Sequence, residues 1–444
     1  MLKRETKQIQ TWLNAQNRKP LILQGQRQVG KTYFITKIVQ DLIKPQGKVF
    51  VVDFIADKMF KQIFQTETSP NQIIKKLEIH QNIKINLEND LLFLDEIQES
   101  SEAIQSLKYF YEQIPLLKIV CAGSFLGIMH NESSFPVGKV EFENLGPLSF
   151  EEFLENSHKE IYEFYSTIDI NKNDPIEAYF HQRLLEYFSI YLCLGGMPEV
   201  IETYLTNLPQ GQNEALNQAR KIQKQIILGY QSDFAKYAGV NNASHILHVY
   251  DAIPSQLNKK QNESVNKFTF SNVIPKSKGF NKIQGPLTWL EKSRLVIKTF
   301  ICNKADTPLK AYTKENHFKL YYSDVGLLQC ALEIPISKSV SMKMGEYKGY
   351  IAENFVATQI YLKSFSTLYS WSEGESEIEF LIYFKDEILP IEVKSTANFS
   401  RARSLDSFIK RYTPNLAVKL APLNLSYNNE KKILTLPIYL VNKL

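Results

Sequence analysis

The sequence contains little cysteine and no long apolar run, and each absence argues against a class of protein. Its four cysteines lie far apart, with no C-x-x-C pair and no histidine cluster at zinc-ligand spacing, so neither a disulfide-stapled scaffold nor a zinc ribbon is indicated. They are Cys121, Cys193, Cys302 and Cys330. No run of about 18 apolar residues occurs and the N-terminus is polar, which argues against a membrane span and a signal peptide. We therefore expect a cytoplasmic protein with no membrane partner.

Charges of the two signs are nearly balanced. The 444 residues carry a net charge of +5, which by itself barely argues for a polyanionic partner. Residues 251–320, however, contain 13 Lys and Arg against 5 Asp and Glu, so this stretch carries +8 and the remainder −3. Such a stretch is either an ordinary solvated face or a contact surface for DNA or a protein. The length predicts about three domains, so the basic stretch can belong to one of them.

A phosphate-binding loop is the strongest motif that is present. A short apolar run at residues 20–24 leads into eight residues that match G-x-x-x-x-G-K-[ST], and apolar residues at helical spacing follow. Glycines let backbone N–H groups wrap phosphate oxygens at a helix N-terminus. Lys31 would bridge the β and γ phosphates, and Thr32 would ligate Mg²⁺. The nucleotide-binding residues predicted in this way are Gly25, Gln26, Arg27, Gln28, Val29, Gly30, Lys31 and Thr32.

Two adjacent acidic residues lie at the end of another apolar, strand-like run. Residues 90–96 read Asp-Leu-Leu-Phe-Leu-Asp-Glu, so Asp95 and Glu96 emerge at the carboxyl end of a strand, where ligands bind in α/β sheets. Asp95 would hold Mg²⁺, and Glu96 would deprotonate the attacking water. Apolar runs at 48–54 and 116–124 predict further buried strands, and Ser124 leaves the second of them beside the acids. Ser124 is thus a third candidate catalytic residue, in contact with the γ phosphate or the water.

These motifs together resemble a known family. GQRQVGKT, LLFLDE, the AGS after the next strand, LGPLSFEEF and GGMP are similar to a prokaryotic family of AAA+ type P-loop ATPases. The resemblance implies ATP as the nucleotide, metal and base roles for Asp95 and Glu96, and a sensor role for Ser124. One position departs from the family, which carries Gly-Arg where this chain has Gly138-Lys139. Lysine lacks the planar five-donor fork of arginine, so an arginine-finger role is not expected there.

The middle of the chain is interpreted as two modules. Residues 156–237 have helical spacing and few glycines, which predicts a helical lid or connector. Residues 238–335 contain the basic stretch and the pattern of short helices ending in a strand pair, typical of a winged helix whose recognition helix ends near Leu290. Winged helices also serve as protein-docking modules, so DNA and protein remain alternative partners. The lysines around the helix are Lys276, Lys278, Lys282 and Lys292.

A second group of acids lies near the C-terminus. Glu392 and Lys394 alternate with apolar residues and so share one face of a strand, and a hairpin would bring Glu379 across to them. Glu353 adds an acid on a helical stripe. Two carboxylates and a lysine can hold Mg²⁺ and position a water for phosphodiester cleavage, but Glu and Lys on neighbouring strands also form plain cross-strand pairs.

A resemblance bears on these acids as well. Residues 319–328 and 349–356 resemble the domain of unknown function that usually follows this ATPase type, and the end of that domain is similar to PD-(D/E)XK nucleases. This chain has Glu379 where the nuclease pattern usually has Asp. Cleavage and a residual, non-cutting fold therefore both stay open.

We thus predict an α/β protein with a P-loop AAA+ type core around a parallel sheet, a helical lid, a winged-helix-like module and a restriction-endonuclease-like α/β domain. The expected divisions are 1–155, 156–237, 238–335 and 336–444. The expected activity is Mg²⁺-dependent ATP hydrolysis coupled to a conformational change, acting on DNA. The alternative is a nucleotide-dependent switch or docking protein with an inactive nuclease-like domain. An oligomer is compatible with either.

Overall fold

A computed structural model describes residues 2–123, 135–238, 240–256, 267–345, 347–396 and 403–444. The chain divides into two compact units, Met1–Gly146 and Pro147–Leu444. Within the described residues, each unit contains one sheet. Across the ranges given above, no helix combines the length and the apolar character needed to cross a membrane.

The first unit is built on a five-stranded sheet in which every pairing is parallel. Its order is β2-β3-β4-β1-β5. The central strands are mostly apolar, as expected for a sheet covered on both faces, and β3 is buried at every residue. The strands are β1 Leu21–Gln24, β2 Val49–Asp53, β3 Leu91–Asp95, β4 Lys118–Gly123 and β5 Glu141–Asn144.

Helices connect these strands and pack against the sheet. Apolar residues of the connecting helices, such as Ile63, Ile73 and Phe110, form one core cluster with Leu92 and Leu94 of β3. The helix after β1 passes through a π-helical segment, Phe34–Val39, and a 3₁₀ turn, Ile97–Glu99, follows β3. The α-helices are α1 Lys7–Asn14, α2 Lys31–Tyr33, α3 Gln40–Ile43, α4 Lys58–Thr66, α5 Pro70–Gln81 and α6 Ser101–Gln113.

The second unit begins with a helical part. These helices are α7 Phe150–Ser157, α8 Lys159–Thr167, α9 Ala178–Leu194, α10 Pro198–Asn207, α11 Gln212–Ala238, α12 Val240–Gln256 and α13 Asn281–Lys292. Buried hydrogen bonds tie them to the C-terminal part of the same unit: the Phe150 N–H donates to Gln359 Oε1 at 3.0 Å, and the Tyr165 hydroxyl donates to the Tyr439 carbonyl at 3.3 Å. The segment expected to be a lid is therefore integrated with the C-terminal residues.

The rest of the second unit is an eight-stranded mixed sheet of order β12-β13-β11-β10-β9-β8-β6-β7, with helices beside it. The strands are β6 Val296–Cys302, β7 Thr313–Tyr322, β8 Leu368–Glu373, β9 Ser376–Phe384, β10 Glu387–Val393, β11 Ala417–Ala421, β12 Ser426–Asn428 and β13 Ile433–Pro437. The α-helices are α14 Val325–Ala331, α15 Ile336–Val340, α16 Tyr347–Ser364 and α17 Arg403–Tyr412, and 3₁₀ segments occur at Leu208–Gln210, Leu309–Tyr312 and Ile438–Lys443.

Strands from two of the expected divisions pair with each other in this sheet. The antiparallel β6–β7 pair, which was expected to close a separate winged-helix module, also pairs in parallel with β8 through β6. The predicted divisions at 155/156, 237/238 and 335/336 all lie within the compact unit Pro147–Leu444. The physical reason is that backbone pairing joins strands that are far apart in sequence. The fold class itself is confirmed as α/β, with a parallel five-stranded sheet, helices and a C-terminal mixed sheet.

Candidate functional site

The phosphate-binding loop follows the carboxyl end of β1, as its motif predicted. Gln28 and Gly30 lie in the left-handed region with φ of 67° and 83°, and α2 begins at Lys31. Gly25 packs so closely that a Cβ on it would lie 2.3 Å from the Leu145 carbonyl oxygen. A side chain at position 25 would thus push the loop out of place, which is why glycine is needed here.

Lys31 lies inside the curve of this loop. Its side chain is buried, and its ammonium donates hydrogen bonds to the carbonyl oxygens of Gly25 at 2.9 Å and Gln26 at 3.0 Å. A buried lysine needs partners for its three N–H donors. The carbonyl oxygens of the loop thus hold the ammonium inside the loop.

Thr32 and Asp95 meet across the sheet edge. The Thr32 hydroxyl donates to Asp95 Oδ2 at 2.6 Å, and the Glu96 N–H donates to Asp95 Oδ1 at 3.0 Å. Burial raises the pKa of the Asp95 carboxyl although the Thr32 hydrogen bond acts in the opposite direction, and the neighbouring Glu96 raises it further. A buried carboxylate beside a hydroxyl is an oxygen-donor pair of the kind that Mg²⁺ prefers, and a cation would offset the cost of burying the charge. These residues therefore fit the metal.

Glu96 occupies a special backbone position directly after β3. Its φ of 49° places it in the left-handed region, which is unfavourable for a non-glycine residue and is typical of functional turns. Its carboxylate accepts a hydrogen bond from the buried Gln98 side chain. Because the backbone turns at Glu96, this residue no longer follows the direction of β3. Asp95 and Glu96 therefore have different surroundings. Ser124, the third catalytic candidate, lies outside the described residues.

Arg4 is a residue of this site that the sequence analysis missed. Its guanidinium donates to the carbonyl oxygens of Val29, inside the loop, at 3.2 Å and of Gly146 at 2.7 Å. No motif marks Arg4, because nothing in its neighbourhood indicates a contact with residues so distant in sequence. Lys139, the position that departs from the pattern of the resembled family, pairs with Glu112 at 3.0 Å and lies over the Tyr111 ring at 5.4 Å.

The C-terminal acids converge through the predicted hairpin. β9 and β10 are antiparallel, and the partnering of Ile391 with Phe380 places Glu392 next to Glu379. The Lys394 ammonium lies 3.0 Å from Glu392 Oε1 and 3.8 Å from Glu379 Oε1. The Val393 N–H donates to Glu379 Oε2 at 3.1 Å. The structure thus brings Glu379, Glu392 and Lys394 together.

Glu353 joins the same group from α16, together with residues that the sequence analysis did not select. The Tyr321 hydroxyl donates to Glu353 Oε2 at 3.2 Å, and the Lys319 ammonium lies 3.6 Å from the same oxygen. Lys319 also pairs closely with Glu377. Lys319 and Tyr321 are two residues apart on β7 and so share a face, a period-two signal that could have been read from the sequence.

Burial and neighbouring charges shift the pKa values of these C-terminal acids and of Lys319. Burial raises the pKa of Glu379, and neighbouring Glu353 and Glu392 act in the same direction, whereas Lys394 and Lys319 oppose it. Burial likewise raises the pKa of Glu353. Burial alone would lower the pKa of Lys319, but Glu377 and the other carboxylates outweigh it and the pKa is raised. Two opposing effects therefore set the pKa values of the carboxyl groups. Burial disfavours the charged carboxylates, and the positive charges of the lysines favour them.

The segment that was expected to contain a recognition helix forms α13, and the lysines in and before this helix face solvent. Lys276 and Lys278 precede the helix, Lys282 lies near its start and Lys292 is its last residue. All four are exposed. The apolar residues between them, such as Leu287 and Leu290, are buried, so α13 presents one apolar and one charged face.

Three stretches of the chain match known protein families. Residues 17–154 match the family described as AAA domain, residues 185–338 match Domain of unknown function (DUF8612), and residues 348–439 match Domain of unknown function (DUF4143). No curated protein matches the chain.

Several solved structures are similar at low identity. The Walker-type ATPase paby2304 of Pyrococcus abyssi is 15% identical with a TM-score of 0.47, over 75% of this chain and 96% of that one. AMPPCP-bound DnaA from Aquifex aeolicus is 14% identical with a TM-score of 0.29, over 64% and 86%. PCH-2 of C. elegans is 15% identical with a TM-score of 0.29, over 49% and 63%.

Proposed function

We propose that the AAA-type P-loop ATPase domain in residues 17–154 hydrolyses ATP with Mg²⁺. The observation that carries the proposal is the 2.6 Å hydrogen bond between Thr32 and Asp95, which links the phosphate loop to the acid at the end of β3. These two side chains would hold the metal ion. When bound, Mg²⁺ neutralises charge on the phosphates.

The residues of the chain have separate tasks in this reaction. The Lys31 ammonium exchanges its hydrogen bonds with the loop carbonyls for bonds to the β and γ phosphates. Glu96 accepts a proton from the water that attacks the γ phosphate in line. Arg4 keeps the loop in shape by holding the Val29 carbonyl. Hydrolysis then changes the contacts of the loop, and we propose that this change is passed on to the rest of the chain.

Two substitutions test the proposal. Lys31→Ala should abolish ATP binding, and Glu96→Gln should keep binding and lose turnover, so that ATP stays on the protein. Binding is measured with a fluorescent ATP analogue and turnover by phosphate release. Lys37→Ala is the matched control, since it removes an exposed lysine from the same helical region. Turnover at the control's level in both variants would overturn the proposal.

A second proposal concerns the partner. The exposed lysines 276, 278, 282 and 292 favour contact with DNA or with an acidic protein surface, and phosphate contacts are usually made in this way. ATP turnover should then rise on addition of duplex DNA, and the effect should weaken steeply with salt. A variant with all four lysines changed to Gln should lose the stimulation. A response that does not depend on salt would argue against phosphate contacts.

For the C-terminal acids we favour the non-cutting alternative. The observation that supports it is the presence of Lys319 among the carboxylates. Incubation of the protein with plasmid, Mg²⁺ and ATP should give no nicking above the level of a Glu392→Ala/Lys394→Ala variant. Nicking by the parent protein alone would instead support nuclease activity.

A further inference from the structure

The second unit contains a cavity of about 750 Å³ that none of the sequence motifs marks. Helix α11 forms one wall of the cavity, and the segment from the end of α14 to the start of α15 forms another. Asp251 of α12 and Tyr322 at the end of β7 also line it. Small-molecule sites usually have volumes of about 300–1,000 Å³, so this cavity is large enough to hold a ligand.

Two cations of α11 line this cavity. Arg220 and Lys224 are four residues apart, so they project from the same face of the helix. Burial raises the pKa of the Cys330 thiol, which also lines the cavity, and the positive charges of Arg220 and Lys224 both act to lower it. The guanidinium and the ammonium therefore lie near the same part of the cavity wall.

The guanidinium of Arg220 has an unused donor. Its Nη2 donates to Cys193 Sγ at 3.7 Å, whereas Nη1 is buried and has no hydrogen-bond partner in the described part of the chain. Among the described residues, no carboxylate forms an ion pair with Arg220 or Lys224. A buried donor without a partner is destabilising, and an anion that accepts from Nη1 would remove this cost.

Much of the remaining lining is apolar. Ile227 and Leu228 belong to the next turn of α11, and Leu228 is 61% exposed. Ile334 lies in the segment after α14, where Glu333 has a φ of 54° and the Ile334 N–H donates to the Gln329 carbonyl at 3.1 Å. This turn folds the segment back against the end of α14. The cavity thus combines two cations with an apolar surface.

Two acids of the lining limit the charge that a ligand can carry. Asp251 and Glu333 line the same cavity as the cations. Burial raises the pKa of Asp251, and His248 acts in the opposite direction. A phosphate monoester carries about −1.5 to −2 charges at pH 7 and would be repelled by these acids more strongly than a carboxylate, which carries a single charge. The lining therefore favours a monoanion.

We propose that this cavity binds an organic carboxylate with an apolar chain, such as a medium-chain fatty acid. The carboxylate accepts a hydrogen bond from Arg220 Nη1 and lies beside Lys224, since guanidinium and carboxylate groups form strong charge-assisted hydrogen bonds. The chain covers Leu228 and Ile334 and removes their apolar surface from water. The inference is independent of ATP hydrolysis, because every residue that it uses lies in the second unit.

Calorimetric titration of octanoate into the full chain without nucleotide tests the proposal. We expect one saturable site per chain. Acetate has the head group without the chain, and octan-1-ol has the chain without the charge, so each should bind at least about tenfold more weakly than octanoate. Octyl phosphate should bind no more tightly than octanoate, because Asp251 and Glu333 oppose its larger charge.

Matched variants assign the binding to this cavity. Arg220→Met removes the guanidinium and should weaken octanoate binding at least about tenfold. Lys221→Met removes an exposed lysine from the neighbouring position of α11, outside the lining, and should bind octanoate as the parent does. If Arg220→Met does not fold, Leu228→Asp provides the test, because Leu228 is exposed and a carboxylate at this position would repel the ligand. Octanoate should raise the melting temperature of the parent and of Lys221→Met alone.

Three outcomes would overturn the proposal. The first is the absence of saturable octanoate binding by the parent protein. The second is equal octanoate affinity of the parent and of a folded Arg220→Met or Leu228→Asp protein, which would place the binding elsewhere. The third is tighter binding of octan-1-ol or octyl phosphate than of octanoate, which would exclude a carboxylate as the preferred ligand.

Discussion

The carboxylate of Asp324 allows a quantitative prediction about stability. Asp324 is 1% exposed and caps the start of α14 by accepting a hydrogen bond from the Leu327 N–H at 2.8 Å. Its other oxygen accepts from the Gly196 N–H at 2.6 Å, in the turn after α9. A Cβ on Gly195 would lie 2.1 Å from Asp324 Oδ1, so the turn and the carboxylate are in close contact. Asp324 thus joins two segments of the second unit.

Burial and hydrogen bonding act in opposite directions on this group. Burial raises the pKa of Asp324 from 3.8 to about 6, although the N–H donors of Gly196, Leu327 and Gly326 lower it. The folded state therefore binds the proton more tightly than the unfolded state does. The contribution of Asp324 to the free energy of unfolding is fully present below about pH 4 and is lost as the pH rises through about 6. The difference between the two pKa values corresponds to about 3 kcal/mol.

Asp324→Asn should remove this dependence. The amide cannot ionise, and Asn is also a good helix N-cap, but its NH₂ group cannot accept from the backbone. We expect the free energy of unfolding of Asp324→Asn, relative to the parent, to rise by about 3 kcal/mol between pH 4 and pH 7.5. Urea denaturation followed by tryptophan fluorescence measures it, because Trp289 and Trp371 lie in the second unit.

The prediction is tested by how the stability difference between Asp324→Asn and the parent changes with pH. Asp386→Asn, which removes an exposed aspartate of the same unit, serves as the control for general charge effects. A difference that stays constant with pH would mean that Asp324 titrates alike in the folded and unfolded states. A difference that falls as the pH rises would mean that the N–H donors outweigh burial. Either result would refute the reasoning.

Three other substitutions have defined outcomes. Gly25→Ala should lower ATP affinity at least about tenfold, because its Cβ would meet the Leu145 carbonyl at 2.3 Å, and an unchanged dissociation constant would contradict this. Arg4→Ala should raise the KM for ATP more than it lowers kcat, since Arg4 holds the Val29 carbonyl. Unchanged values of KM and kcat would show that Arg4 has no role in the site. Tyr321→Phe should lower the free energy of unfolding by about 1–3 kcal/mol in urea denaturation, because Glu353 loses a buried hydrogen-bond partner. Unchanged ATP turnover would show that the first unit is intact.

The sequence predicted the first sheet well because its central strands are buried on both faces. The four apolar residues that precede Asp95 in β3 form a continuous run that is not typical of a solvated loop. β5, Glu141–Asn144, was missed, because it is an edge strand whose polar residues carry no such signal. The phosphate loop was recognisable since its chemistry requires fixed residue types at fixed spacing.

The organisation of the second unit could not be predicted in the same way. The pairing of β6 with β8 and the hydrogen bond from Phe150 to Gln359 join residues that are distant in sequence, and local patterns contain no record of such contacts. The hairpin acids were found because alternation fixes which residues share a face. Alternation also places Lys319 on one face with Tyr321, but it does not show that its carboxylate partners lie on α16 and β9, so Lys319 was not selected.

The shared sheet also determines how this protein can be dissected. A fragment that begins at residue 336 would lack β6 and β7 and would leave β8 as an unpaired edge carrying the buried residues Leu368 and Trp371. Open apolar edges recruit further strands, so such a fragment is expected to aggregate. It would also lack Lys319. Nicking measured on such a fragment would therefore not represent the intact chain, in which Lys319 lies beside Glu353 and Glu377.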